Sequence, residues 1–202
     1  MQEQSQNITL QAFSGYIRVC ALTMEEDDLE LIAPEHAGDL FTLIQQEKKY
    51  LRRWLPWVDE VTAVDDTRGF AEQAAERYTL GKGPTYLLRS SGKAAGVAGF
   101  HSVDWPNRSA ELGYWLGSRY TGCGLVTEAC RVLLEYGFSE MRLNRIGIRC
   151  AKGNLASRAV AERLGMVFEG FLREAELLND KYVDDAVYSM LRREYMGMNR
   201  ER

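Results

Sequence analysis

Hydrophobic positions recur at helical spacing in the first half of the chain. The stretch 35–50 predicts a helix with the apolar face Ala37, Leu40, Phe41 and Ile44. A second helix is expected to start at Asp66 or Thr67, either of which can cap it, and to end at Gly81. Between these helices the segment W-L-P-W at 54–57 interrupts the pattern, because a residue before proline avoids helical geometry.

The hydrophobic period shortens to two after residue 83, which is typical of strands. Strands are predicted at 85–89, 94–103, 110–116, 145–150, 167–178 and 181–191, with shorter ones at 16–22 and 29–32. Helices are predicted at 124–138 and 154–164, the second capped by Asn154. This order predicts an α/β (α+β) fold, a mostly antiparallel sheet of about seven strands flanked by four helices, with one parallel step. Strands and helices do not alternate as in a doubly wound dinucleotide fold.

The composition narrows the class of protein. The chain has 202 residues, 46% of them hydrophobic and 27% charged, which suits one folded domain. We expect this domain to span 16–202, after a loosely ordered extension at 1–15. A net charge of −4 argues against a nucleic-acid partner, and no apolar stretch reaches the ~18 residues that span a bilayer. Four cysteines without a C-x-x-C pair, and only two histidines, indicate no metal site and a reducing, cytoplasmic location.

A glycine-rich turn, R-Y-T-G-C-G at 119–124, stands between a predicted strand and a predicted helix. Gly122 and Gly124 allow a ligand to approach the main chain, the helix N-terminus favours an anion, and Arg119 adds a positive charge. A Walker loop is excluded by the missing Gly-Lys-Ser/Thr, and G-x-G-x-x-G by Thr127. In isolation the turn is equally compatible with a pyrophosphate site and with tight strand–helix packing.

Two motifs together resemble a known family. The turn follows the strand E-L-G-Y-W-L at 111–116, and N-L-A-S-R-A-V-A-E-R-L-G-M-V-F-E-G occupies 154–170. Together with R-R-W-L-P-W at 52–57 and A-E-L-L-N-D-K-Y-V-D-D at 175–185, they are similar to the GCN5-related N-acetyltransferases (GNAT), in particular to the RimJ/RimL subgroup. The resemblance covers roughly 28–195 and implies an acetyl-CoA-dependent N-acetyltransferase that needs no metal.

The resemblance also implies where acetyl-CoA binds. Its pantetheine arm would lie between the strands at 110–117 and 145–150, which splay apart and leave backbone groups for the arm to pair with. The implied cofactor-binding residues are Leu116, Gly117, Arg119, Tyr120, Thr121, Gly122, Cys123, Gly124, Leu125, Val126, Thr127, Asn154 and Ser157.

Three residues are candidates for the chemistry. The resemblance places Ser157 beside the thioester sulphur, where its hydroxyl would hydrogen-bond the departing thiolate. The base that takes the amine proton is Glu176, the position that RimL-like enzymes use, or Glu111, the position of other branches; we favour Glu176. Trp54 and Trp57 either wall the acceptor site or fasten the first helix to the sheet.

The acceptor is the least determined feature. The subgroup implies the N-terminal α-amine of a ribosomal protein or peptide. A small amine such as an antibiotic, a polyamine or an aminoacyl conjugate is the alternative, and an acidic cleft without a peptide-length groove would favour it. A non-catalytic acyl-CoA sensor is a third hypothesis. Edge strands of this fold commonly pair, so we expect a homodimer, with no nucleic-acid or membrane partner.

Overall fold

The computed structural model describes residues 29–198, and the predicted extension at 1–15 and strand at 16–22 lie outside this range. Its elements are β1 (Leu29–Leu31), α1 (Ala37–Leu51), α2 (Val64–Thr79), β2 (Thr85–Ser90), β3 (Lys93–Asp104), β4 (Ser109–Leu116), α3 (Leu125–Glu135), β5 (Arg145–Ala151), α4 (Leu155–Arg163), β6 (Val167–Leu178), β7 (Lys181–Leu191) and α5 (Arg192–Met198). The predicted succession of strands and helices along residues 29–191 and the mixed α/β class are confirmed. No helix in this part of the chain is long and apolar enough to cross a membrane.

The sheet contains seven strands in the order β1-β2-β3-β4-β5-β7-β6. Every neighbouring pair is antiparallel except β4 and β5. These two pair only from Ser109 with Arg145 to Leu112 with Ile148. Beyond that point β4 follows β3 and β5 follows β7, so the facing edges of the two parallel strands separate. The predicted splay is therefore present.

Helices cover both faces of the sheet. On one face, α3 and α4 bury side chains such as Leu133 and Val160 in the largest apolar cluster. On the other face, Leu40 of α1 and Ala74 of α2 pack over Leu87 of β2 and over β3. The two helix layers hold the sheet between them. They leave the space beside the splayed strands open.

The start of α2 differs from the prediction. The helix begins at Val64, and Asp66 lies in its first turn, where its carboxylate accepts the backbone N–H groups of Thr62 at 2.8 Å and Ala63 at 2.9 Å. Asp66 therefore caps the helix from inside it, as a capping-box acid does. These two backbone hydrogen bonds lower the pKa of Asp66.

The ends of two other helices also differ. The helix predicted at 124–138 ends at Glu135 and continues as a wider helical turn over Tyr136–Glu140. A fifth helix, α5, was not predicted, because it has only seven residues, none of them fully buried. The carboxylate of Glu194 accepts the N–H of Leu191 at 2.8 Å and caps its start.

Strands β3 and β4 approach so closely that one position requires glycine. A Cβ on Gly96 would lie 2.1 Å from the carbonyl oxygen of Trp115. We expect Gly96→Ala to lower the free energy of unfolding by about 2–3 kcal/mol, because the end of β4 must shift. Urea denaturation measures this. Gly69→Ala, in α2 with no atom within 4 Å of the added Cβ, is the control; it should be neutral or stabilising, and an equal loss in both variants would contradict the explanation.

Candidate active site

The loop between β4 and α3 leaves its backbone open to a ligand. Gly122 and Gly124 have φ values of 83° and 88°, which residues with a side chain rarely adopt. A Cβ at either position would meet no atom within 4 Å. Gly124 is the N-cap of α3, and the N–H groups that follow it, before Glu128, have no partner within the helix. This arrangement fits a pyrophosphate group, which the predicted acetyl-CoA loop must hold.

Local contacts shape the rest of this loop. The hydroxyl of Thr121 donates to the carbonyl oxygen of Ser118 at 2.8 Å, and the thiol of Cys123 donates to that of Tyr120 at 2.9 Å. Arg119 has 69% of its side chain exposed to solvent. The side chains of Leu125, Val126 and Thr127 are buried, so any contact of theirs with an anion is through backbone N–H groups.

A buried carboxylate ties this loop to α1, and the sequence reasoning missed it. Glu47, only 7% exposed, accepts the N–H of Ser118 at 3.0 Å and its hydroxyl at 2.6 Å. Its other oxygen lies 3.6 Å from Nε of Arg119. A glutamate on the apolar face of α1 was the available signal, because buried carboxylates are rare without partners.

Leu116 and Gly117 lie at the end of β4, next to the splay. The Leu116 side chain belongs to the core. Gly117 already uses both of its backbone groups: its N–H donates to Ala95 at 2.9 Å, and its oxygen accepts from Tyr120 at 3.0 Å. The contact of both residues with the pantetheine arm stays a prediction. For Gly117, whose backbone groups already have partners, that contact would be a close approach of the arm to the main chain.

Ser157 is held at the start of α4 on the other side of the splay. Asn154 caps this helix by accepting the N–H of Ser157 at 3.2 Å, as predicted. The hydroxyl of Tyr114, on β4, lies 3.0 Å from Oγ of Ser157 and donates to its carbonyl oxygen at 3.1 Å. Burial raises the pKa of Tyr114, so it remains a neutral donor. Ser157 is therefore held at two points, its backbone by Asn154 and its hydroxyl by Tyr114.

Both candidate bases line one cavity of about 970 Å³, together with Ser157 and Asn154. Burial, with the nearby charge of Asp185 as the next cause, raises the pKa of Glu176. The carboxylate of Glu111 accepts no hydrogen bond and has no ion pair within the described part of the chain. The sequence reasoning did not single out Asp185, whose carboxylate lies 3.3 Å from Nε of Arg149.

Aromatic side chains form the opposite wall of this cavity. Trp54, Trp57 and Trp115 all line it, and the rings of Trp57 and Trp115 meet edge to face at 6.0 Å. Phe70 of α2 also lines the cavity and is 44% exposed. Trp54 and Trp57 therefore line the same cavity as the candidate bases, and their contact with an acceptor stays a prediction.

Comparison with known proteins assigns the family. A family model described as an acetyltransferase (GNAT) domain matches residues 28–167. The chain belongs to the GNAT acetyltransferase family. The predicted class of enzyme, an N-acetyltransferase, is confirmed with it, and the splayed strands and glycine loop of this GNAT domain lie within the matched range.

Three proteins similar to this GNAT chain match it over most of their own length. The putative ribosomal N-acetyltransferase YdaF of Bacillus subtilis (strain 168) is 35% identical over 178 residues, 86% of this chain and 95% of the relative. A solved RimL ribosomal-protein α-N-acetyltransferase in complex with coenzyme A has a TM-score of 0.77 at 29% identity, covering 81% of this chain and 92% of that one. The microcin self-immunity acetyltransferase MccE, in complex with acetyl-CoA and AMP, has a TM-score of 0.75 at 32% identity over 81% and 91% of the two chains.

The contact between Glu47 and Ser118 predicts an effect on cofactor binding. Glu47→Gln should weaken acetyl-CoA binding by roughly tenfold, because the amide replaces a charge-assisted acceptor and releases the loop. Calorimetric titration with acetyl-CoA measures this. Glu72→Gln, an exposed position of α2, is the matched control and should bind as the parent does. Equal affinity in all three proteins would show that Glu47 does not hold the loop for the cofactor.

Proposed function

We propose that this enzyme transfers the acetyl group of acetyl-CoA to the N-terminal α-amine of a protein, and that the acceptor is a ribosomal protein. The complexes of RimL with coenzyme A and of MccE with acetyl-CoA support the co-substrate. The names of YdaF and RimL support the acceptor. We further propose a cytoplasmic homodimer, in which β6, a twelve-residue strand at one edge of the sheet, would pair.

The observation that carries the peptide acceptor is the length of the cleft. The large cavity adjoins a second one of about 300 Å³, which follows the paired part of β4 and β5. Glu111 and Arg149 line both cavities. An extended peptide advances ~3.3–3.6 Å per residue, so the second cavity can hold residues that follow the reactive N-terminus. A small amine would need only the first.

In the proposed reaction the acceptor ammonium first gives one proton to Glu176, because only the neutral amine attacks. The nitrogen then forms a bond to the acetyl carbon, and the carbon–sulphur bond breaks. The second amine proton is released as the amide forms and neutralises the thiolate. The hydroxyl of Ser157, which Tyr114 contacts, would hydrogen-bond that sulphur. Glu111 is the alternative base, and the loop at 119–127 with Asn154 would hold the cofactor.

A small cationic amine is the second candidate, and the charge of the large cavity favours it. Five acidic residues line this cavity, namely Glu60, Asp66, Glu111, Glu176 and Asp185, against the arginines Arg77 and Arg149. Both arginines have partners: Arg77 donates to backbone oxygens of β3, and Arg149 pairs with Asp185. A polyamine or an aminoacyl conjugate would meet the uncompensated carboxylates.

An acceptor screen tests the proposed function. N-terminal peptides of ribosomal proteins and small amines are offered with acetyl-CoA, and thiol release is measured with mass analysis of the products. We expect kcat/KM to be at least tenfold higher for a peptide than for any small amine. A polyamine as the best acceptor would establish the second candidate. Acetyl-CoA binding without turnover of any acceptor would indicate a sensor, and binding of ATP in place of acetyl-CoA would exclude the family's chemistry.

The two candidate bases are separated by matched substitutions. Glu176→Gln should lower kcat by roughly 100-fold or more and leave the affinity for acetyl-CoA unchanged, since a base contributes to proton transfer and not to cofactor binding. The pKa of Glu176 is raised, so this base deprotonates at a higher pH than an ordinary glutamate does. The kcat/KM of the parent enzyme should therefore increase with pH in that higher range. If Glu111→Gln shows the larger loss, Glu111 is the base.

A further inference from the structure

Asp185 is a buried carboxylate to which the proposed reaction gives no role. Only 3% of the surface of Asp185 is exposed, and Asp185 lines the large cavity. Its Oδ2 lies 3.3 Å from Nε of Arg149, whereas its buried Oδ1 has no hydrogen-bond partner within residues 29–198. A buried oxygen without a partner is costly, so its presence in a cavity calls for an explanation.

A bulge in β6 brings Glu176 to the same place. Leu172 pairs with Asp185 but Glu176 pairs with Val183, so β6 contains extra residues between these two pairs. Within the bulge Glu174 has a φ of 50°, and its N–H donates to the carboxylate of Asp184 at 3.2 Å. Bulges re-aim side chains, and this one leaves the Glu176 carboxyl in the cavity beside Asp185.

We propose that Asp185 and Glu176 act as a coupled carboxylate pair in which Asp185 is the positioning residue that sets the proton affinity of Glu176. The inference rests on the proposed function, because it gives the pair the acceptor's ammonium proton. In the free enzyme the Oδ1 of Asp185 accepts a hydrogen bond from the protonated Glu176 carboxyl. The positive charge of the approaching ammonium stabilises the doubly ionised pair, so Glu176 first releases its proton to solvent. The ionised Glu176 carboxylate then takes one proton from the ammonium, and the nitrogen becomes neutral.

The surrounding charges explain why the pair shares one proton. Arg149 compensates one negative charge, that of Asp185, and the second has no cation of its own. The other titratable groups that face the pair are Cys150 on β5, Glu111 on β4 and Asp184 on β7. Burial is the first cause that raises the pKa of each carboxyl, and the charge of Asp185 raises that of Glu176 further. Two carboxyls arranged in this way titrate as a unit.

The pH dependence of turnover tests the pair. Asp185→Asn should move the acid limb of kcat/KM to lower pH by about one unit, because a neighbouring negative charge is removed. Asp180→Asn, on the exposed turn of the same hairpin, is the matched control and should leave the limb in place. A lower rate with an unmoved limb in Asp185→Asn would overturn the proposal and leave Asp185 a structural residue.

A titration without substrate separates this proposal from the proposed function. The carboxyl ¹³C resonance of Glu176 is followed against pH in the ligand-free parent and in Asp185→Asn, and the midpoint should fall by about one unit. If Asp185→Asn does not fold, Arg149→Gln tests the pair with the opposite sign, since loss of the cation should raise the midpoint. Equal midpoints would refute the coupling. A shifted midpoint in a protein that acetylates no amine would retain the pair and refute the proposed function.

Discussion

The separation of β4 from β5 is the constraint on which the rest of the structure depends. The two parallel strands pair over four residues each and then follow different neighbours. Backbone groups in the gap require partners, and burial without them would cost several kcal/mol. The amides of an extended pantetheine arm would supply such partners, as we propose. The fold thus makes a binding site by leaving its sheet incomplete.

The residues that we propose for the chemistry lie around this gap. The capped start of α4 directs Ser157 to it from one side, and the β6–β7 hairpin directs Glu176 from the other. The glycine loop follows β4 directly and is fastened to α1 through Glu47. Because α1 also leads to the aromatic residues that line the large cavity, the glycine loop and these aromatic residues share one support.

The sequence predicted the elements correctly where a local backbone geometry requires a particular type of residue. Asn154 caps α4 through its own side chain, and the glycines of the loop have the positive φ values that their spacing suggested. Prediction failed where a short-range signal has two interpretations. Asp66 can cap a helix from before it or from within its first turn, and only the backbone contacts of Thr62 and Ala63 distinguish these. The short helix α5 has only seven residues, too few for a helical repeat of apolar positions to predict it.

The sequence by itself determined the class of fold, because strand and helix periods, caps and turns are local properties. It indicated the GNAT family and the cofactor motifs through the resemblance of those motifs to known members. The tertiary structure alone decided the neighbours of the functional groups. Glu47 and Ser118 are 71 residues apart, and Asp185 meets Glu176 only because β6 contains a bulge. Side-chain environment depends on register and packing across the sheet, so no spacing along the chain encodes it. For the same reason the pair of Asp185 and Glu176 could not be predicted from the sequence, because it depends on the register of β6 and β7.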